Sequence, residues 1–477
     1  MSIEKLTYSV DSLCMALKRI RNSLTSAATG MFDWTRAVIV VGSVLALLAV
    51  CVFTVAPQLV GLGGAQTAQG KGLHKLKALT APTTSTPKTS PPTTSVPSTT
   101  TTVPSAGGNM SNEPLPPANA TYVPATINAT CATDVSHPIN SWLNALPSGS
   151  FVYIPQGACY LINEGINLWR PIGLTIEGGT FEMLTYGDLT RMGINVIGGN
   201  HVTLEYVSVI GPAASHTYNK NDEFQAGVEL QGTMNTTISH VRVYDVHGDG
   251  FELVPLRAEE VGNSGGGGTI VRPVENLVVN NLVVDGTGRM GVSLASVNGA
   301  QLTNLAIRNV AFDDFDFEAD QSTEGAENVT INNCTVGGKG FLFVSNQGLG
   351  AGKYTGNITV ENCTELNNQG GVSVLVEDIP QSNVQRGPFT FINDQLQCGD
   401  SAETSCVVVK RGNLTFDNSS LKFGWNPYEP VYNVGVVSDV TFNNDTVTGY
   451  KYRGILTGAS QVSVVGGTWT PEPPTKY

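Results

Sequence analysis

The feature that most constrains this chain is a block of nine residues that keeps returning: Asn, apolar, Thr or a similar residue, apolar, any, Asn, any, any, apolar. Clear copies begin at Asn276 (NLVVNNLVV), Asn304 (NLAIRNVAF), Asn328 (NVTINNCTV), Asn357 (NITVENCTE) and Asn413 (NLTFDNSSL), and weaker ones at Gly173, His201, Asn235, Pro388, Asp439 and Gln461, about eleven in all. Apolar residues alternate within each block, so each block is a strand with one buried face. The closest copies are about 22 to 25 residues apart, which is the length of one coil of a solenoid whose coils bury their apolar face only against each other. An antiparallel sandwich would not call for the same block at the same phase so often.

A second short strand opening on glycine follows most blocks: Gly193 (GINV), Gly227 (GVEL), Gly250 (GFEL), Gly291 (GVSL), Gly340 (GFLF), Gly371 (GVSV) and Gly454 (GIL). Each coil therefore carries at least two strands, stacked on their neighbours at about 4.8 Å. Asn281, Asn309, Asn333 and Asn362 all take the sixth block position, where the strand bends and a residue that tolerates the left-handed conformation is wanted, so they are expected to stack as a ladder. The same register accounts for the Asn-x-Thr/Ser sequons: Asn235, Asn328, Asn357 and Asn413 are first block positions, while Asn333, Asn362, Asn418 and Asn444 are ladder positions. Residues 136–146, with Ile139, Trp142, Leu143 and Leu146 at helical spacing, read as a short helix plugging the first coil.

Ahead of the repeats the chain changes character. Residues 1–36 hold Lys18, Arg19, Arg21 and Arg36, and residues 37–58 form an uncharged apolar run long enough to cross a bilayer. We expect a cytoplasmic N-terminal segment, one membrane span acting as a signal anchor, and an external remainder; a signal peptide cleaved near residues 63–65 is the alternative, and would secrete the same domain. Residues 66–118 are dominated by Thr, Ser and Pro, a composition that stays extended as a linker. The repeat domain is expected over residues 131–477. A formal net charge of −13 and no clustered basic stretch in the outer part exclude nucleic acid as a partner.

The stretch SGSFVYIPQGACYLINEGINL from Ser148, followed by GLTIEGGTFEM, resembles the opening of many proteins of the pectate lyase-like superfamily. The resemblance covers roughly residues 131–469 and implies an all-β, right-handed parallel β-helix that binds a polysaccharide or cell-surface glycan. GRMGVSLASVNGAQLTNLAIRNVAFDDFDFEAD resembles a segment common in bacterial β-helix proteins, and by that match only Arg289, Ser293, Asp316 and Glu318 carry over. The Asn-Thr-Asp, Asp-Asp, Gly-His-Gly and Arg-x-Lys set of polygalacturonases is not present in order, nor are the Trp-x-Asp-His and Arg-x-Pro-x-x-Arg signatures of pectate lyases.

Six of the eight cysteines lie beyond the apolar run, an even number that suits disulfides outside the cell. Cys334 and Cys363 share the seventh block position on successive coils, about 5 Å apart, and can pair or pack. Cys398 and Cys406 bracket a short loop, and Cys131 is in a position to tie the capping region to Cys159. No Cys/His spacing suggests zinc.

Superposing the second strands yields an outward-facing column: Asn195, Glu229, Glu252, Ser293, Asp316, Leu342 and Ser373. The turns that feed these strands add His247, Asp249, Asp285, Arg289, Asp313 and Asp314, and Glu318 follows Asp316. Two insertions, residues 210–226 and 255–275, flank the same coils and are expected to wall a cleft. Stacked carboxyls raise one another's pKa, so one can serve as acid while another serves as base. Glu252, Asp316, Asp249, Arg289 and Glu318 are the candidate catalytic residues of a hydrolase or lyase. Alternatively Glu229, Glu252 and Asp316 hold Ca²⁺, which would neutralise an acidic sugar while Arg289 or a lysine assists proton removal. The third reading is a sugar-binding groove without chemistry, on an adhesin or structural surface protein.

Overall fold

In the computed structural model the described residues are 115–183, 192–257, 270–319, 324–344, 355–366, 372–377, 386–399, 406–422, 431–433, 438–449, 456–457 and 461–470. The expected N-terminal segment, the span at 37–58 and the linker up to residue 114 lie outside them. Among the described residues no helix is long and apolar enough to cross a membrane. Pro97–Tyr477 forms one compact unit.

Among the described residues, apart from one antiparallel pair of short strands, every paired strand runs parallel, in a 23-stranded sheet and an 11-stranded sheet. Val274–Thr287 shows how one coil is built. The chain enters at Asn276 (φ 53°), bends at Asn281 (φ 57°), and then crosses to Val292–Leu294 in the shorter sheet. Asparagine suits both bends because its short polar side chain offsets the cost of the left-handed region. Successive coils stack with equivalent apolar positions in line: Val279, Leu302, Ile331, Val360, Phe391, Phe416 and Phe442. All seven are at most 1% exposed, and each contributes roughly 1.5 to 3 kcal/mol by burial. Phe391 and Phe416 stack at 4.7 Å, Phe416 and Phe442 at 5.1 Å.

At the other end, the helix Ser136–Asn144 buries Ile139 and Leu143 and covers the edge of the strand Ile166–Trp169. Asn140 and Asn144 accept from the amides of Asn167 and Trp169 and donate to the carbonyls of Gly165 and Asn167, at 2.7 to 2.8 Å. Side-chain amides thus stand in for the missing strand. Strand pairing begins at Thr121–Tyr122, ahead of the boundary expected at Cys131.

The register bears out most block starts and corrects one. His201, Asn235, Asn276, Asn328, Asn357, Pro388, Asn413, Asp439 and Gln461 fall in one line, but the residue aligned with Asn276 on the next coil is Gly299, not Asn304. Asn304 takes the sixth position, so the ladder runs Asn281, Asn304, Asn333, Asn362, Asn393, with Asn333 donating to Asn304 at 2.5 Å and Asn393 to Asn362 at 3.4 Å. Asn309 belongs to the following turn, where it donates to Asp285 at 2.7 Å. The two are interchangeable in the sequence because Asn304 and Asn309 have the same spacing as Asn276 and Asn281, and all four are left-handed.

All three expected cysteine pairs are disulfides: Cys131–Cys159, Cys334–Cys363 and Cys398–Cys406. The Cα atoms of Cys334 and Cys363 are 4.4 Å apart, as stacking on successive coils requires.

Candidate functional site

In the shorter sheet, Asn195, Glu229, Glu252, Ser293 and Asp316 are successive partners, one per coil. The glycines that open these strands hold the coils close: a Cβ on Gly250 would stand 2.7 Å from the Gly291 carbonyl and 2.3 Å from the Val284 side chain. Beyond Asp316 the column departs from expectation. Its next partner is Phe343, and the one after is Leu375; Leu342 lies beside Phe315 instead, and Ser373 is not in the line. The cause is a slip of the glycine phase. Gly340 pairs with Asp313, whereas Gly291 is level with Asp314, so counting from glycine misplaces Leu342 in the column.

The column faces away from the core, yet none of its five polar members is more than 8% exposed. Part of the cover is the 210–226 insertion, which lies over the turns feeding these strands. A Cβ on Gly248 would be 2.6 Å from the Glu223 carbonyl, and one on Gly288 would be 3.2 Å from that of Thr217. His216 pins the loop by a 2.6 Å contact with Asp245. In the second insertion Leu256–Arg257 pairs antiparallel with Ile270–Arg272, and Arg257 bonds Glu324 at 3.0 Å.

All five candidate catalytic residues converge. The Arg289 guanidinium donates to Asp249 at 3.1 Å and to Glu318, and both carboxylates hold it firmly charged. Asp249 also accepts from the Met290 amide at 3.0 Å and from the Ser293 hydroxyl; burial raises its pKa and Arg289 opposes the rise. Burial pushes the Glu252 carboxyl well up, aided by Glu229, to which it is hydrogen-bonded. Asp316 is likewise pushed well up, by burial and then by Glu318. Its side chain is fully buried, and neither oxygen has a hydrogen-bond partner among the described residues. Asp313 rises to about 6 by burial, with Lys339 acting against it.

Other expected members are engaged elsewhere. Asp285 is taken up by Arg308 and Asn309, both at 2.7 Å, and Asp314 accepts from the Gly338 amide at 3.0 Å. His201 and His240 occupy left-handed repeat positions and His216 a left-handed turn, as their sequence context indicates. Glu229, Glu252 and Asp316 do not bring their oxygens within 4.8 Å of one another; among the described residues only Cys131, Cys159 and Glu182 form such a trio, and its two cysteines are a disulfide.

Sequence reasoning missed the aromatic rim of the wall. Tyr218 and Phe224 are 39% and 41% exposed. Arg289 lies 5.9 Å from the centre of the Phe224 ring, Tyr218 packs on Phe312 at 5.1 Å, and Lys339 stands 5.1 Å from the centre of the Phe312 ring. The Tyr218 hydroxyl donates to Glu223, which together with burial raises its pKa to about 12. The signal was present as two aromatic residues in a loop otherwise made of small and polar ones.

By its fold the chain is a parallel β-helix. That conclusion rests on its own strand register. No protein-family model and no curated protein sequence matches the chain. Among solved structures, it is similar to an endo-xylogalacturonan hydrolase from Aspergillus tubingensis, at 14% identity and TM-score 0.49, over 74% of this chain and 100% of that one. A hyperthermoactive exopolygalacturonase from Thermotoga maritima is similar at 10% identity and TM-score 0.47, over 75% and 93%. The catalytic unit of an α-1,3-glucanase from Streptomyces thermodiastaticus is similar at 16% identity and TM-score 0.44, over 77% and 72%. The likeness between the β-helix and these proteins is one of fold.

Proposed function

We propose that the wall around Asp316 is the active site of a glycoside hydrolase acting on a polysaccharide outside the cell. The observation that carries this reading is the Asp316 side chain, buried in the column with both oxygens unpartnered among the described residues and its pKa pushed well up by burial. A carboxylic acid in that state is primed to protonate a glycosidic oxygen. Glu252 lies two coils away across Ser293, about 9.6 Å by strand spacing, near the upper end of the separation used by inverting glycosidases. Glu229 and Glu252 are hydrogen-bonded to each other, and this pair is the candidate base for activating water. Arg289, bound by Asp249 and Glu318, fixes the electrostatics between these groups. A lyase is less well served, because Arg289 is already bonded to two carboxylates.

The test is release of reducing ends by the purified domain over a panel of polysaccharides. Asp316→Asn is expected to lower the rate by about 10³-fold, within the range of general acid catalysis, with sugar affinity retained. The exposed Tyr218 and Phe224 rings favour a second reading, a groove that binds glycan without cleaving it. In that case no product forms with any polymer, and Asp316→Asn weakens binding by only about 1 to 3 kcal/mol.

For the place of action, our reading draws on residues 1–118. An apolar run and a Thr/Ser/Pro spacer ahead of a disulfide-bonded domain support a single-pass anchor with the β-helix outside. Protease added to intact cells should remove the domain and spare the first 36 residues; recovery of free domain in the medium would establish cleavage instead.

A further inference from the structure

We propose that Trp169 forms a distal sugar subsite far from Asp316, so that the domain engages long glycan chains and holds short ones weakly; this rests on the glycan-site reading above. Trp169 closes the strand Ile166–Trp169, in which Ile166 and Leu168 turn into the core at no more than 1% exposure. Alternation sends Asn167 and Trp169 outward, and Trp169 is 53% exposed. The register ties this ring to the candidate acid. Asn167, Asn195, Glu229, Glu252, Ser293 and Asp316 are partners on successive coils, which puts Trp169 on the face of the carboxyl column, five coils from Asp316. At about 4.8 Å per coil the two stand roughly 24 Å apart along the axis, a span that only a chain of several sugar units covers.

The second insertion walls the route between them. Arg257 bonds Glu324, which follows the Asp316 strand, at 3.0 Å. Arg272, on the other arm of the same antiparallel pair, donates to the carbonyls of Gly232 and Gly198. Leu256 and Arg170 come within 3.2 and 3.4 Å of where a Cβ on Gly198 would stand, so the hairpin reaches from the coil of Asp316 to the residue after Trp169. Asn195 and Glu229, in between, are no more than 7% exposed, and a glycan joining the two ends passes above them rather than on the strands. At the far end a cavity of about 110 Å³ opens beside the ring, lined in part by Leu146, Arg170 and Ile172. The indole offers a flat apolar face to a pyranose, and Ile172, 56% exposed, extends it. Arg170 is exposed, and its guanidinium N–H groups can donate to sugar hydroxyls. Apolar surface with a few polar groups is the common pattern of a ligand site.

The experiment measures affinity in the full-length protein, in its Asp316→Asn form to prevent turnover, with and without Trp169→Ala or Trp169→Phe. The probes are oligosaccharides from dimer to decamer of linear α-glucan, β-glucan, xylan, mannan and polygalacturonate. For the series that binds, affinity should rise at least tenfold from tetramer to octamer. Trp169→Ala should remove that gain and leave the tetramer unchanged, and Trp169→Phe should restore most of it. Identical affinities with and without Trp169→Ala at every length would overturn the subsite. So would a loss of equal size at every length, which a general loosening of the capped end produces. Either result leaves the Asp316 reading standing. Binding of no series, together with no cleavage of the parent polymers by wild type, would sink the glycan-site reading and this inference with it.

Discussion

The coils that carry Glu252 and Asp316 and those that carry Asp394 and Asp445 both bury carboxyl groups, but they treat them differently. Asp394 accepts from the Cys363 amide at 2.8 Å and Asp445 from the Ser419 amide at 2.6 Å. Each follows a left-handed asparagine and ties its own coil to the one before. Asp316 accepts from no group among the described residues, and Glu252 is hydrogen-bonded to another carboxyl, Glu229. Burial is thus common to both regions, and what separates them is the partner. A carboxyl bonded to a backbone amide is accounted for by the fold, whereas one held without any such bond costs stability that only a function explains. Asp249 and Asp314 show the same division inside the site itself, since each accepts a backbone N–H at 3.0 Å.

The sharpest contrast should appear in turnover. Asp316→Asn is expected to reduce product formation about 10³-fold, while Asp394→Asn leaves it within about twofold, because that side chain works on the backbone of a distant coil. Equal losses from both substitutions would break the distinction.

Next in size is the dependence of stability on pH that the C-terminal coils contribute. Burial raises Asp394 to about 7 and Asp445 to about 6, against the backbone N–H groups that favour their charged forms. Their folded pKa values lie above those of the unfolded chain, so their contribution to stability is complete below about pH 4 and is lost as pH rises through about 6 and 7. Glu361 faces Asp394 and Asp417 faces Asp445, and both act in the same direction. Asp394→Asn should flatten this fall, gaining about 2 kcal/mol at pH 8 relative to pH 5 by urea unfolding. A gain that is the same at both pH values would show that Asp394 does not titrate in the fold.

The smallest effect concerns the ladder. Asn304→Ala should cost about 1 to 2 kcal/mol and Asn304→Gly roughly half that, since the left-handed bend penalises a Cβ that glycine lacks. Urea midpoints for the two variants decide it, and equal losses would mean that the lost amide bonds outweigh the backbone.

How far the sequence carried the argument can be traced through the same residues. The stacking of Cys334 on Cys363 and the line from Asn328 through Asn357 to Asn413 were legible because the block repeats its own phase. Asn304 and Asn309 were not separable, since local pattern carries no record of which coil stacks on which. Gly340 misled for a related reason: glycine marks a close approach of backbone, and on that coil the close approach moved by one residue. The carboxyls of the wall were legible as a column, but their burial and the Tyr218 and Phe224 rim depend on how the 210–226 loop folds back, which no periodicity encodes.

The central claim is that the unpartnered Asp316 awaits a sugar, and a crystal structure of the Asp316→Asn domain with a bound oligosaccharide tests it most directly. The account predicts a pyranose ring against Tyr218 and Phe224 with one of its oxygens within about 3.2 Å of the residue 316 side chain. A sugar seated on the longer sheet or at either end of the solenoid, with residue 316 still buried and untouched, would contradict it.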